Sequence, residues 1–167
     1  GSPADARAER RTLTIFTPTY DRAHTLPRLF ESLVRQTSHD FSWLIVDDGS
    51  SDDTVIALQR LQRTDSRVRI IELAANFGQH AAFTAGIEYA RGKYLVTMDA
   101  DLQCDPADIP RLIEPLRNGY DLVSGVRRHR NDPTARKLFS RLTTSLVTRL
   151  AHVELRDIGC PLNAFTD

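Results

Sequence analysis

Tyr94-Leu95-Val96-Thr97-Met98-Asp99-Ala100-Asp101 is the stretch on which the fold turns. Its first five residues are apolar or β-prone without alternation, which reads as a strand buried on both faces, as in a parallel sheet. Two carboxylates then stand one residue apart where that strand would end. In an open α/β sheet, ligands bind beyond the carboxyl ends of the strands. Asp-x-Asp at such an edge suits a hard divalent cation. Mg²⁺ takes one or two carboxylates and completes its shell with water and phosphate oxygens, and Mn²⁺ accepts the same oxygen-rich set. The plainer reading is a polar turn ahead of Pro106, and the tripeptide alone does not separate the two.

Upstream, Leu13 to Thr17 is a β-branched apolar run stopped by Pro18, a first strand. Leu26, Leu29, Phe30, Leu33 and Val34 then share one helical face, with Thr25 as N-cap. Phe41 to Val46 is a second strand, and the polar cluster Asp47 to Thr54 is a turn leading into a helix from about Asp53 to Gln62. Val68 to Leu73 is a third strand, followed by a helix over Ala81 to Ala90 with Gly92 as its C′ residue. Downstream of the opening stretch, Pro106 starts a helix that Asn118-Gly119 ends, and Asp121 to Val126 is a fifth strand. A long amphipathic helix is expected over 133–151, with Leu138, Leu142, Leu146 and Leu150 at i, i+4 spacing. This alternation predicts an α/β fold, a mostly parallel sheet with helices on both faces.

A chain of 167 residues is one ordinary domain. Lys and Arg number 22, as do Asp and Glu, so no net charge points to nucleic acid. Cys104 and Cys160 form no C-x-x-C pair and read as reduced thiols of a cytosolic compartment. The histidines show no zinc-ligand spacing, and no apolar run is long enough to span a bilayer. Residues 1–11 read as a tag remnant and solvated tail, leaving 12–167 as the folded domain.

Right-handed crossovers put the carboxyl ends of parallel strands on one edge. Pro18-Thr19-Tyr20-Asp21, Asp47-Asp48-Gly49-Ser50 and Asp99-Ala100-Asp101 are therefore expected to line one crevice. No G-x-G-x-x-G follows the first strand and no G-x-x-x-x-G-K-[ST] occurs, which argues against a dinucleotide oxidoreductase and a P-loop NTPase. An edge rich in carboxylates and poor in glycine suggests phosphates held through a metal.

Pro18-Thr19-Tyr20, Val46-Asp47-Asp48-Gly49-Ser50 and Asp99-Ala100-Asp101 together resemble the nucleotide-sugar site of the inverting GT-A glycosyltransferases of family 2, over Leu13 to Phe165. Asn76-Phe77-Gly78-Gln79-His80, Asp99 to Gln103, Gly119 to Val123, Val126 to Arg130 and Asp157 to Cys160 resemble its polyprenyl-phosphate branch. That branch includes the bactoprenyl-phosphate glucosyltransferases, the undecaprenyl-phosphate aminoarabinose transferases and dolichol-phosphate mannosyltransferase. The resemblance implies a GT-A, Rossmann-like domain with its nucleotide-sugar site at the C-terminal strand ends. Pro18 and Tyr20 would flank the base, Asp48 would hydrogen-bond it, and Asp99 would lie near ribose or metal. Asp101 would be the metal ligand, and Asp101 and Asp157 the candidate catalytic residues, Asp157 as base or acceptor organiser. It further implies a UDP-sugar donor, a polyprenyl-phosphate acceptor, a place at the cytoplasmic face of a membrane, and more acceptor-side structure than this chain contains. The resembling enzymes usually carry Arg at the positions of Ala75 and Asn163.

Negative charge builds on the departing nucleoside diphosphate, so a cation held by Asp101 would neutralise it as it develops. A polyprenyl phosphate, with a second pKa near ~6, needs no general base. It needs cations, and 127–149 holds seven Arg or Lys against one acidic residue, Asp132. Arg127, Arg128 and Arg130 directly follow the fifth strand and suit bidentate phosphate contact. The same basic helix would suit an anionic membrane surface, and a solvated helix face is the plainer account of Arg136, Lys137, Arg141 and Arg149. Asn76, Gly78 and Gln79 precede a helix whose N-terminus is placed to face phosphate, or they simply cap it. His80 reads as a packing or capping residue and Trp43 as core. Two alternatives stay open: transfer to a saccharide hydroxyl, and a nucleotide-binding module without turnover. A homo-oligomer is compatible with either.

Overall fold

The computed structural model describes residues 11–126 and 160–166. Strand β1 (Leu13–Thr19) is followed by helix α1 (Leu26–Val34), β2 (Phe41–Asp47), α2 (Thr54–Thr64), β3 (Val68–Glu72), α3 (Gln79–Tyr89) and β4 (Tyr94–Thr97). A 3-10 turn at Pro106–Asp108 leads into α4 (Ile109–Arg117), and β5 (Leu122–Ser124) and β6 (Asn163–Thr166) complete the sheet. The strand order is β3-β2-β1-β4-β6-β5.

β1 pairs in parallel with β2 and β4, and β2 with β3. β6 runs antiparallel to both β4 and β5, which leaves β5 parallel to β4. The mostly parallel α/β sheet is as expected. The sixth strand is not: β6 is four residues long, Asn-Ala-Phe-Thr, too short and too polar to stand out by pattern. It wedges between β4 and β5, which sequence order would have made neighbours. The fifth strand is also shorter than the expected span from Asp121 to Val126.

Every residue of β2 is buried because helices cover both sides of the central strands. On one face, Leu26, Leu29 and Leu33 of α1, Leu58 of α2, and Ile109, Leu112, Ile113 and Leu116 of α4 pack with Ile15, Trp43, Ile45 and Val96. Each fully buried Leu or Ile there contributes roughly 1.5–3 kcal/mol. Trp43 donates its indole N–H to Thr17 Oγ1 at 2.9 Å and stacks on Phe30, the core role expected of it. On the other face α3 lies over Phe16, Val46 and Leu95. Its approach requires Gly86, where a Cβ would sit 2.2 Å from the Phe16 ring.

The caps differ from expectation. Thr25 donates to the Arg22 carbonyl at 3.2 Å and does not cap α1 through its side chain. Gly92 is not a C′ residue, since α3 already turns to extended backbone at Ala90. Gly92 instead lets the chain press on β1: its N–H donates to Thr14 Oγ1 at 2.9 Å, and a Cβ would lie 2.5 Å from Thr14 N. The long helix expected over 133–151 lies outside the described residues. Among the described residues, no helix is long and apolar enough to cross a membrane.

Candidate active site

The chain from β1 steps outward to β2 and β3, then returns through α3 to β4 on the other side of β1. That reversal opens a crevice at the carboxyl ends of β1 and β4, and a cavity of about 410 Å³ lies there. Pro18, Thr19 and Tyr20 line it from β1, Asp48 from β2, and Asp99, Ala100 and Asp101 from β4. Asn76, Gly78, Gln79 and Ala82 close it from the start of α3. All eight residues that the sequence assigns to nucleotide or metal and that are described thus meet in one cavity. Arg127, Arg128, Arg130 and Asp157 lie outside the described residues.

The acidic cluster after β2 divides its labour. Asp47 is buried and accepts from the Ser50 N–H and hydroxyl, so it shapes the turn. Asp48, also buried, accepts the Phe77 N–H through Oδ1 at 2.8 Å while lining the cavity. Gly49 between them and α2 has φ +69°, and a Cβ there would meet the Ala75 backbone carbon at 2.3 Å. Only glycine lets the loops after β2 and β3 touch at this point. The helix start uses neither Ser50 nor Ser51: Asp52 Oδ1 accepts the Thr54 N–H at 2.9 Å. Ser50 and Ser51 instead tie down the loop after β1, with Asp21 N–H donating to Ser50 Oγ at 2.9 Å and Ser51 N–H to Asp21 Oδ1 at 2.8 Å.

After β3, Asn76 Oδ1 accepts the Gly78 N–H at 3.1 Å and Gly78 takes φ +90°. No side chain caps α3, whose first-turn amides lack intrahelical partners, and Gly78, Gln79 and Ala82 at that end line the cavity. His80 is exposed and does not pack in the core.

At β4, Asp99 is half-buried, and Asp101 Oδ1 accepts the Gln103 N–H at 3.0 Å, holding its carboxylate against the turn. Burial, and then the neighbouring Asp101 charge, push the Asp99 carboxyl above its ordinary value, while the Arg22 guanidinium pulls it back. Two carboxylates that repel when alone, offering only oxygen, fit a hard divalent cation. Among the described residues no third His, Cys, Asp or Glu joins them, so a Mg²⁺ or Mn²⁺ held by this pair would draw its other ligands from water and phosphate oxygens. Behind this turn Cys104 lies against Cys160, and that thiol–thiol hydrogen bond, with burial, drives the Cys104 thiol far above its usual range. No disulfide joins the two.

Two polar cavity residues have no role of their own in the sequence reading, although Thr19 falls within the Pro18-Thr19-Tyr20-Asp21 stretch expected to line the crevice. Thr19 is buried with its hydroxyl unpartnered, and Arg22 lines the cavity from the loop after β1. A lone arginine in a turn reads as solvated; only its place beside Tyr20-Asp21 hinted otherwise.

A parallel sheet with its order reversed beside β1, and an Asp-x-Asp at that reversal, define the GT-A class of α/β domain. Solved members share the backbone: a mannosyltransferase from Pyrobaculum calidifontis in complex with GDP-Man and Mn²⁺ superposes with a TM-score of 0.71 at 21% identity, over 93% of this chain and 44% of that one. Glucosyl-3-phosphoglycerate synthase from Mycobacterium tuberculosis, with Mn²⁺, UDP-glucose and phosphoglyceric acid, gives 0.73 at 18% identity, over 93% of this chain and 57% of that one. The family model "Glycosyl transferase family 2" matches residues 14–164, and the chain belongs to that family. It is 41% identical to an undecaprenyl-phosphate 4-deoxy-4-formamido-L-arabinose transferase of Pseudomonas fluorescens, over 92% of this chain and 46% of that protein. Its counterpart in Proteus mirabilis is 36% identical over 92% of this chain and 48% of that protein. The chain spans a little under half the length of these relatives.

Proposed function

We propose that this chain is the donor-binding part of an inverting glycosyltransferase that moves a sugar from a nucleotide-sugar, a UDP-sugar, to a polyprenyl phosphate at the cytoplasmic face of a membrane. The observation that carries the reading is the gathering of Tyr20, Asp48, Asp99 and Asp101 around one cavity at the β1–β4 reversal. The names of the relatives at 36–41% identity support the acceptor.

Tyr20 and Pro18 offer an aromatic ring and a flat ring edge to a base, and Asp48 a fixed acceptor to its N–H groups. Asp99 and Asp101 hold the divalent cation, Mg²⁺ or Mn²⁺. When bound, that cation supplies charge stabilisation for the leaving diphosphate. The amide end of α3, beside Gly78 and Gln79, adds partial positive charge to the same side. A phosphate acceptor arrives as an anion, so the cavity needs no base within it. Arg127, Arg128 and Arg130 are proposed to hold that acceptor, and Asp157 to orient it.

Calorimetric titration with UDP, GDP and their sugars, with and without Mn²⁺, is the direct test, followed by transfer to a short prenyl phosphate. Binding of a nucleotide only with Mn²⁺, then sugar transfer to the lipid phosphate, is the expected result. Metal-independent binding, or none, overturns the reading of the site, and transfer only to saccharide hydroxyls overturns the acceptor.

A further inference from the structure

Among the described residues, Arg22 is the one cation in the wall of the cavity, set there with three carboxylates, Asp48, Asp99 and Asp101. Its backbone is fixed on both sides. The Arg22 N–H donates to Thr54 Oγ1 at 2.8 Å, and its carbonyl accepts from Thr25 N at 3.0 Å and Leu26 N at 3.2 Å. Asp21 before it has φ +51° and is tied to Ser50 and Ser51. A side chain on so rigid a base loses only its own torsional freedom when a ligand orders it.

The guanidinium is exposed and little used. Its side-chain hydrogen bond among the described residues runs from Nη1 to the Asp21 carbonyl at 3.1 Å, which leaves the N–H groups of Nε and Nη2 for another acceptor. Its field reaches Asp99, yet no ion pair joins them. The charge is held beside the carboxylates without being consumed by one of them.

We infer that Arg22 is a second anchor for the donor's diphosphate, gripping it beside the cation held by Asp99 and Asp101. The inference rests on the nucleotide-sugar reading above. A diphosphate brings further negative charge to a wall that already bears three carboxylates. A divalent cation offsets the charge of the Asp99–Asp101 pair that holds it; the guanidinium, bound to no carboxylate, offsets part of the diphosphate's charge and adds paired donors that match phosphate oxygens. Arg22 therefore acts on ligands that carry phosphate and is indifferent to the nucleoside. Toward Mn²⁺ alone it is mildly repulsive.

Calorimetry on the 167-residue chain and on Arg22→Gln and Arg22→Lys, each with a thermal melt, tests this. The titrants are UDP and GDP in saturating Mn²⁺, the matching nucleosides, and Mn²⁺ alone. Arg22→Gln is expected to weaken the diphosphate roughly tenfold, the loss of one charge-assisted hydrogen bond, with nucleoside binding held within about twofold and Mn²⁺ bound no more weakly. Arg22→Lys, which keeps charge but not the paired donors, recovers part of the loss. Should the Gln variant melt early, the Lys variant carries the test through the same diphosphate-against-nucleoside contrast. Unchanged diphosphate affinity, or parallel loss of nucleoside and diphosphate, overturns the inference. A parent that binds neither diphosphate overturns the nucleotide reading itself, and this inference with it; a parent that binds while Arg22→Gln binds equally well sinks the inference alone.

Discussion

Asp48 accepts the Phe77 N–H through one oxygen and lines the cavity, so on the proposed reading its other oxygen is the one left for the ligand. Asn at this position keeps an acceptor for Phe77 and puts a donor where the ligand needs an acceptor. Asp48→Asn is therefore expected to melt near the parent while losing about tenfold or more in nucleotide affinity. Asp48→Ala strands the Phe77 N–H and costs about 1–3 kcal/mol of stability as well. Calorimetry beside urea denaturation separates the two. Thr19 poses the opposite case, a buried hydroxyl with no partner. Replacing it by a group of the same shape removes an unmet desolvation cost, so Thr19→Val should gain about 1 kcal/mol in urea denaturation. Because that hydroxyl is closed off from solvent, nucleotide affinity should stay within about twofold of the parent.

At the scale of elements, the join from α2 to β3 carries the clearest electrostatic device. Arg67 reaches Asp65 with Nε at 3.0 Å and Nη2 at 2.6 Å, and lies over the Phe41 ring. That hydrogen bonding holds the Asp65 carboxyl below its usual 3.8 against the opposing effect of burial. A depressed carboxylate stabilises the fold above its unfolded pKa, and the gain is lost as pH falls through the lower folded value. Asp65→Asn should thus cost about 1–2 kcal/mol at pH 7 and progressively less on acidification below pH 4, read by urea denaturation at several pH values. The elements were legible where packing speaks through pattern. β1, β2 and β4 are apolar or β-prone runs because helices cover both faces, and α1 shows its Leu26-Leu29-Leu33 stripe. Gly92 misled because its demand is not local: it serves contact with Thr14, far away in sequence. β6 was invisible because a four-residue strand between two others gains its place from tertiary pairing alone. The site was legible for a related reason. Strand ends share an edge by topology, so three polar ends could be gathered without knowing any distance, whereas Arg22 and Thr19 reveal themselves only through what surrounds them.

For the whole molecule, the reversal of strand order beside β1 creates a cavity whose charged side chains are three carboxylates and one guanidinium. Such a wall repels a nucleoside diphosphate unless a divalent cation enters with it, since like charges at a few ångströms cost free energy even near a surface. On the proposed reading, binding of the donor is conditional on the cation, and Asp101 is the residue through which that condition is tested. Chelation with EDTA should lower UDP or GDP affinity of the parent by at least about thirtyfold, roughly 2 kcal/mol. Asp101→Asn should bind weakly in Mn²⁺ yet no worse than the parent in EDTA, because it removes a repelling charge as well as a ligand. The four titrations form a cycle in which the carboxylate and the metal are coupled. Equal losses on mutation with and without Mn²⁺ would mean that Asp101 acts on the nucleotide without the cation. The sheet edge would then be an ordinary polar rim, with the metal bound elsewhere or not at all.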